Sequence, residues 1–316
     1  MIETFFPLIL QVLQVFIILF TAPLFAGLVR VFKCWTQSRT SAGLFQPYRD
    51  LMRLFSKEIV LAENASWIFR FTPYMVFGAI LVAGAVIPVI SVNLPLSMTA
   101  DIIALVALFA IARFFTSLAG MDIGTAFGGM GGSREMMIGS LAEPAMLMSV
   151  FTVSLAAKST SLSQIAWVLS TGEFVLRPSL AFALLAFILI AVAETGRVPV
   201  DNPSTHLELT MIHEAMILEY SGRHLALMEW AGMMKLLLYS SLGIALFLPW
   251  GISMREGFAA LPQAFILFFV KLSSVAMTIV LIETGLAKMR VFRVPEFLGS
   301  AFISATLGML SFFMLE

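Results

Sequence analysis

The chain has 316 residues, 60% hydrophobic and 12% charged, with a mean hydropathy of +0.98; soluble domains carry about 25% charged residues, so this composition is that of a membrane protein. Its 19 Lys and Arg balance 19 Asp and Glu, which excludes a basic field for nucleic acid and an acidic tail for a disordered chain. The single cysteine, Cys34, cannot form an intramolecular disulfide, hold an iron–sulfur cluster or build a structural zinc site, so any metal redox centre is expected on another chain.

A spanning helix needs about 20 mainly apolar residues because unpaired backbone amides are intolerable in hydrocarbon. Taken in chain order, eight segments meet that need: 5–29, 73–92, 102–121, 137–157, 177–195, 229–250, 261–283 and 296–315. The first is too long for the apolar core of a secretory signal and follows Glu3 rather than a basic stretch, so it reads as a retained helix. Between spans, basic residues crowd the odd-numbered loops: Arg30, Lys33, Arg39, Arg49, Arg53, Lys57 and Arg70 in loop one, Arg134 in loop three, Arg197 and Arg223 in loop five, and Lys288, Arg290 and Arg293 in loop seven. By the positive-inside rule these loops are cytoplasmic and both termini lie outside. With no short repeat and no Gly/Ser/Pro linker, residues 1–316 form a single integral domain, all-α, with an amphipathic helix in loop one. In Leu44–Glu58 the apolar residues 44, 48, 51, 52, 54 and 55 recur near helical spacing with charges opposite, as in a helix lying in the membrane interface.

Several motifs lead nowhere. The cluster Gly128-Gly129-Met130-Gly131-Gly132 lacks the third glycine of a dinucleotide fingerprint and no G-K-[ST] follows, so it reads as a hinge between two spans. His206 and His213, about 10 Å apart on a helix, read as surface residues rather than metal ligands. No activated nucleophile is recognisable.

The informative residues are charges where charges are costly. An ionisable group near the bilayer centre costs roughly 2.5 kcal/mol or more and needs a partner, a wet cavity or a task. Arg113, Glu143, Glu229, Lys235, Lys271 and Glu283 all fall inside spans. Buried acids and bases in one bundle suit a proton relay, with Glu143 and Lys271 the foremost candidates; structural ion pairing or snorkelling is the competing reading for Glu229 and Glu283. Loop five adds Glu194, Asp201, Glu208, Glu214 and Glu219 in a stretch that is apolar nearly all round. If 204–220 is helical, Glu208 and Glu219 share a face, three turns apart. Such a segment is expected to pack into the protein, where close carboxylates share protons; an acidic docking patch is the alternative.

These residues also carry a resemblance. Gly43-Leu44-Phe45-Gln46-Pro47-Tyr48-Arg49-Asp50 through Lys57-Glu58 resembles the G-L-x-Q-P-x-x-D…K-E segment of the complex I membrane-protein family that includes mitochondrial subunit 1. Ala193-Glu194-Thr195-Gly196-Arg197-Val198-Pro199-Val200-Asp201 resembles its A-E-x-x-R-x-P-F-D, and Leu218-Glu219-Tyr220-Ser221-Gly222 its T-E-Y-S-G. Gly120-Met121-Asp122-Ile123-Gly124, Gly132-Ser133-Arg134-Glu135 and Glu143-Pro144 are more similar to the membrane subunits of hydrogenase-4 (component C) and formate hydrogenlyase (subunit 4). The family's two further acids after the aspartate are here Ser204 and His206, and the Glu208–Glu219 stretch is three residues longer than usual.

The resemblance implies eight helices with both ends outside, in a bacterial or archaeal cell membrane, and a subunit that is not itself catalytic. It implies hydrophilic iron–sulfur and large catalytic subunits on the cytoplasmic side, docked on Arg39, Gln46, Arg49, Asp50, Arg53, Lys57, Glu58, Arg197 and Arg223, with antiporter-like membrane subunits alongside and lipid around. Iron–sulfur clusters, and nickel–iron in the hydrogenase branch, would sit in those partners; whether quinone binds is left open. The implied proton path comprises Glu194, Asp201, Glu208 and Glu219 with Glu143 and Lys271 as interior members and Arg134 as a charge partner; the charge reading itself adds Glu214, Glu229, Lys235 and Glu283 to the path and Arg113 as a second charge partner. The expected function is therefore a membrane-anchoring, proton-coupling subunit linking an iron–sulfur redox module to ion pumps. The alternatives are a quinone-site subunit of an NADH-quinone oxidoreductase and a stand-alone proton-coupled transporter.

Overall fold

A computed structural model describes residues 2–89, 91, 95–96, 101–171, 177–201, 211–252 and 261–315. Its described helices are α1 (Ile2–Thr36), α2 (Gln46–Phe55), α3 (Trp67–Val86), α4 (Ile102–Asp122), α5 (Ala126–Ala157), α6 (Leu162–Thr171), α7 (Pro178–Glu194), α8 (His213–Ile217), α9 (Gly222–Phe247), α10 (Leu261–Gly285) and, after a 3-10 turn at Val291–Arg293, α11 (Val294–Leu315). Seven of them (α1, α3, α4, α5, α9, α10 and α11) are long and apolar enough to cross a membrane, and α7 is a shorter apolar helix, so each of the eight expected segments contains one helix. At 17 residues α7 is about 25 Å long, slightly less than the hydrocarbon core. Pro178 starts it, where its missing N–H costs nothing.

The amphipathic segment of loop one is α2, with Pro47 and Leu51 buried and Met52 exposed. It lies against α1 and α9, its Phe55 ring edge-on to Trp230 at 6.1 Å. Gly27 of α1 makes room for it: a Cβ there would stand 2.1 Å from the Leu44 carbonyl oxygen. α9 is the most buried spanning helix, packed on α1 and α3, while α11 lies on α5 and α7. α10 and α11 turn large apolar side chains such as Ile266, Val270, Ile303 and Phe313 outward, as lipid-facing helices do.

Two elements differ from expectation. α5 begins eleven residues before the span expected at 137, so the glycine cluster is helix, not hinge. Its glycines are where neighbouring backbones touch: a Cβ would meet the Gly120 carbonyl oxygen at 2.1 Å from Gly128, the Ile212 carbonyl oxygen at 3.0 Å from Gly131, and the Ser117 carbonyl oxygen at 3.1 Å from Gly132. Small residues let helices approach backbone to backbone in lipid, and here they seat α5 on α4 and α8. Second, among the described residues only His213–Ile217 of the expected 204–220 helix is helical; Glu219 lies in the turn that follows, and Glu208 falls outside the described residues. The Asp201 carboxylate accepts the backbone N–H groups of Ile212 (3.3 Å) and His213 (3.1 Å) and so holds the start of α8. The short α6 joins the bundle through buried Leu162 and Ile165 and corresponds to no expected element.

Candidate functional site

The centre of the site is Arg113, midway along α4, whose side chain is only 4% exposed. A buried guanidinium needs counter-charges and acceptors. Three carboxylates from two neighbouring helices supply them: Arg113 Nη2 lies 2.7 Å from Glu194 Oε1 at the end of α7, Nη1 3.0 Å from Glu143 Oε1, and Nε 3.8 Å from Glu135 Oε1, the last two on α5. Glu135 and Glu143 are eight residues apart, two turns along one face. From α9, Lys235 Nζ reaches the other Glu194 oxygen at 3.0 Å, and the Tyr239 hydroxyl faces the same carboxylate. Gly139 leaves the guanidinium its space, since a Cβ there would stand 2.5 Å from Nη1. Three carboxylates face two cations, so the cluster is electrically balanced when it also holds one proton.

Glu194 and Lys235 connect the cluster to a cavity of about 370 Å³ on the loop-one side of the bundle. Arg30, Lys33, Arg197, Asp201, His213, Glu214, Glu229 and Glu283 also line it. Glu283 accepts from Lys33 Nζ at 2.7 Å and from Arg197 Nη1 at 2.8 Å, joining the ends of α1, α10 and the loop after α7. Behind this cavity a second one, about 30 Å³, is lined by Arg113, Thr116, Glu135 and the shared residues His213, Met228, Gly232 and Lys235. His213 is thus inside the site rather than on the surface. Burial is the main influence holding its imidazole below the usual histidine range; the Lys235 ammonium acts the same way, and Asp201 and Glu214 oppose it.

The structure therefore brings together Arg113, Glu143, Glu194, Asp201, Glu214, Glu229, Lys235 and Glu283. It sets Lys271 apart, with its ammonium donating to the carbonyls of Leu248 (2.6 Å) and Trp250 at the other end of α9. Arg134 donates to the Met211 carbonyl at 3.1 Å, bracing the segment before α8, and Glu219 lines neither cavity. Glu135, Tyr239 and His213 are site residues that sequence reasoning did not select. The signal for Glu135 was available in its two-turn spacing from Glu143.

Around loop one, Asp50 gathers Gln46 (3.0 Å), Arg53 (2.9 Å) and Arg30 (3.8 Å), leaving Arg39, Arg49, Lys57, Glu58 and Arg223 exposed. The segment after α2 is fastened to the start of α9: Ser221 Oγ accepts from the Val60 N–H and donates to its carbonyl, both at 2.7 Å. Gly222, with φ +52°, lies so close that a Cβ would be 2.4 Å from the Glu58 carbonyl oxygen. Two of the three sequence motifs meet at this joint. Beside it Tyr220 stacks on Phe69 with ring centroids 4.0 Å apart, and burial raises its phenol above the usual range.

Comparison with known proteins agrees with the motifs. A family model described as NADH dehydrogenase matches residues 9–314. The chain belongs to the NADH dehydrogenase family. Formate hydrogenlyase subunit 4 of Escherichia coli (strain K12) is 34% identical over 313 residues, covering 97% of both chains. Hydrogenase-4 component C of the same organism is 32% identical over 277 residues, 88% of this chain and 87% of its own. An NADH-quinone oxidoreductase subunit of Syntrophotalea carbinolica is 29% identical over 216 residues, 65% of this chain and 64% of its own. Among solved structures, a chain of the membrane-bound sulfane sulfur reductase, an archaeal respiratory membrane complex, superposes with a TM-score of 0.83 at 18% identity, covering 96% of this chain and 98% of that one. At that identity the likeness speaks for the fold, which this NADH dehydrogenase family member shares over nearly its whole length.

Proposed function

We propose that this chain is the membrane-anchoring, proton-coupling subunit of a complex-I-like oxidoreductase of the formate hydrogenlyase and hydrogenase-4 type, without catalytic chemistry of its own. The observation that carries the reading is one cavity on the loop-one side whose wall holds Asp201, His213 and Glu214 together with Glu194 and Lys235, the last two ion-paired into the Arg113 carboxylate cluster. Isolated ion pairs would serve an anchor; a shared cluster opening on a large polar cavity serves proton exchange. The odd-numbered loops face the cytoplasm by their positive charge, and both termini lie outside.

In this reading the exposed charges of loop one and the start of α9 hold the hydrophilic subunits, whose iron–sulfur clusters and nickel–iron site supply the redox chemistry. This chain's own residues respond to that chemistry by charge. A change in potential at the loops shifts the Lys33–Glu283–Arg197 group and the carboxylates lining the cavity. Glu194, held between Arg113 and Lys235, then gains or releases a share of the cluster's proton, and Glu143, the most open member with 38% of its side chain exposed, passes it onward to neighbouring membrane subunits.

A second reading has its own observation. An apolar cleft of about 270 Å³ between α7, α9 and α10 shares Thr195, Arg197 and Leu236 with the polar cavity, a shape suited to a quinone tail and head. Mild-detergent purification, followed by mass spectrometry, cluster spectroscopy and solvent extraction for quinone, separates the readings. Co-purifying iron–sulfur subunits without quinone support the first; stoichiometric quinone supports the second. A homogeneous lone subunit that moves ions in vesicles overturns both in favour of a transporter.

A further inference from the structure

Four residues line both cavities: His213, Met228, Gly232 and Lys235. A proton crossing from the larger cavity to the smaller must pass this wall. Met228 and Gly232 have no titratable group, and Lys235 is engaged with Glu194 at 3.0 Å. The imidazole remains. Its backbone is held by Asp201 at 3.1 Å, and it lies against bare backbone of α9, since a Cβ on Gly232 would be 3.9 Å from Nε2.

Beyond the wall, the gap between Arg113 Nε and Glu135 is 3.8 Å, too long for a direct hydrogen bond, and this buried Nε has no hydrogen-bond partner among the described residues. The small cavity there, about 30 Å³, has Arg113, Thr116, Glu135, His213 and Lys235 on one part of its wall and apolar residues such as Val76, Ile80 and Ala112 on the rest; it exceeds the roughly 10–15 Å³ that a water molecule needs and offers that water several polar partners.

We infer that His213 is the proton-carrying gate between the loop-one cavity and a hydrated cell in front of Glu135 and Arg113. The inference rests on the proton-coupling reading above. One ring nitrogen takes a proton from hydronium in the larger cavity: an O–H bond breaks, leaving water, and an N–H bond forms. The other nitrogen's N–H bond then breaks and its proton passes through the water of the smaller cell to the Glu135 carboxylate, which becomes a carboxylic acid; the ring is left neutral in the opposite tautomer and resets by tautomerising or turning over before the next proton. The groups that set the gate are Lys235 on α9, Asp201 before α8, Glu214 on α8, and Arg113 and Glu135 across the cell. Burial holds the imidazole mostly neutral, the form that accepts a proton from the open side.

The test uses the complete complex in inverted membrane vesicles, with reduced methyl viologen as donor, reading protons moved per electron with a pH-sensitive dye. His213→Ala is expected to lower that ratio about tenfold or more at unchanged subunit composition, and free imidazole in the buffer to restore it. His213→Gln fills the wall without carrying a proton, so it should lose the ratio without imidazole rescue. A normal ratio in assembled His213→Ala or His213→Gln overturns the gate, as does a loss in His213→Ala that imidazole leaves unchanged. If His213→Ala does not assemble, His213→Gln decides. Glu194→Gln separates the two levels: if it too moves protons normally, the coupling reading itself falls, whereas if it stops transport while His213→Ala does not, only the gate falls.

Discussion

Arg113 illustrates how single residues carry this site. Its burial has a desolvation cost that Glu194, Glu143 and Glu135 offset together. Arg113→Leu leaves three buried or half-buried carboxylates facing Lys235 alone, and is expected to destabilise the protein by about 3–5 kcal/mol, read as a lowered thermal midpoint in detergent. Arg113→Lys should recover only part, because an ammonium lacks the fork that reaches three carboxylates. Glu143 is the contrast: with 38% of its side chain exposed it is the least buried of Arg113's partners, and Glu143→Gln keeps its shape and an oxygen for the guanidinium, so it should leave assembly intact while reducing proton transport linked to electron flow. Unchanged transport removes Glu143 from the path. At His213 the sign follows from its lowered pKa. The folded chain stays neutral while the unfolded chain binds a proton below about pH 6.5, so this residue's contribution is fully present above that pH and declines as pH falls. Thermal midpoints taken from about pH 8 to about pH 5 should drop less steeply at the acid end in His213→Gln. The intramembrane charges were legible as residues, because hydropathy exposes them. Their pairing was not, because Arg113 and Glu194 are eighty-one positions apart and nothing local links them.

Among the elements, the spans follow from apolar length and were legible, while their ends were set by neighbours. α5 continues through the glycine cluster because α4 and α8 approach its backbone there, a contact visible only in three dimensions. Gly128→Val should therefore act by overpacking, costing about 1–3 kcal/mol in thermal stability, whereas Gly129→Val, which meets nothing within 4 Å, should be near neutral. If the two behave alike, α5 is not seated on its glycines. Gly222→Ala meets both a left-handed backbone and the Glu58 carbonyl oxygen, so it should loosen the joint between loop one and α9. Faster protease cleavage within residues 56–64 is the measurement. The α8 segment misled the sequence reading for a related reason: apolar residues all round signal burial, but the described helix has five residues, its start held by Asp201 and its end followed by the turn at Leu218–Glu219.

For the whole molecule, topology and partners are decided by surfaces. Cys34, the chain's single cysteine, is half-buried near the end of α1. A membrane-impermeant maleimide should label it in inverted vesicles and not in intact cells, and the reverse pattern would invert the orientation. Arg49 and Lys57 are exposed, so Arg49→Glu with Lys57→Glu should leave the chain folded in the membrane and lose the hydrophilic subunits on purification. Retention of those subunits by the double variant would move the docking surface elsewhere.

Hydropathy, charge asymmetry and three ordered motifs were enough, by themselves, to determine a multi-span helical protein and its family, because membrane insertion acts on local apolar length and motifs are local strings. Only the tertiary structure decided that Lys271 stands apart, that Glu135, Tyr239 and His213 join the cluster, and that the glycines are seats. Those outcomes depend on which helices meet in space, and the energy of a buried charge is set by neighbours within a few ångströms, whatever their distance along the chain.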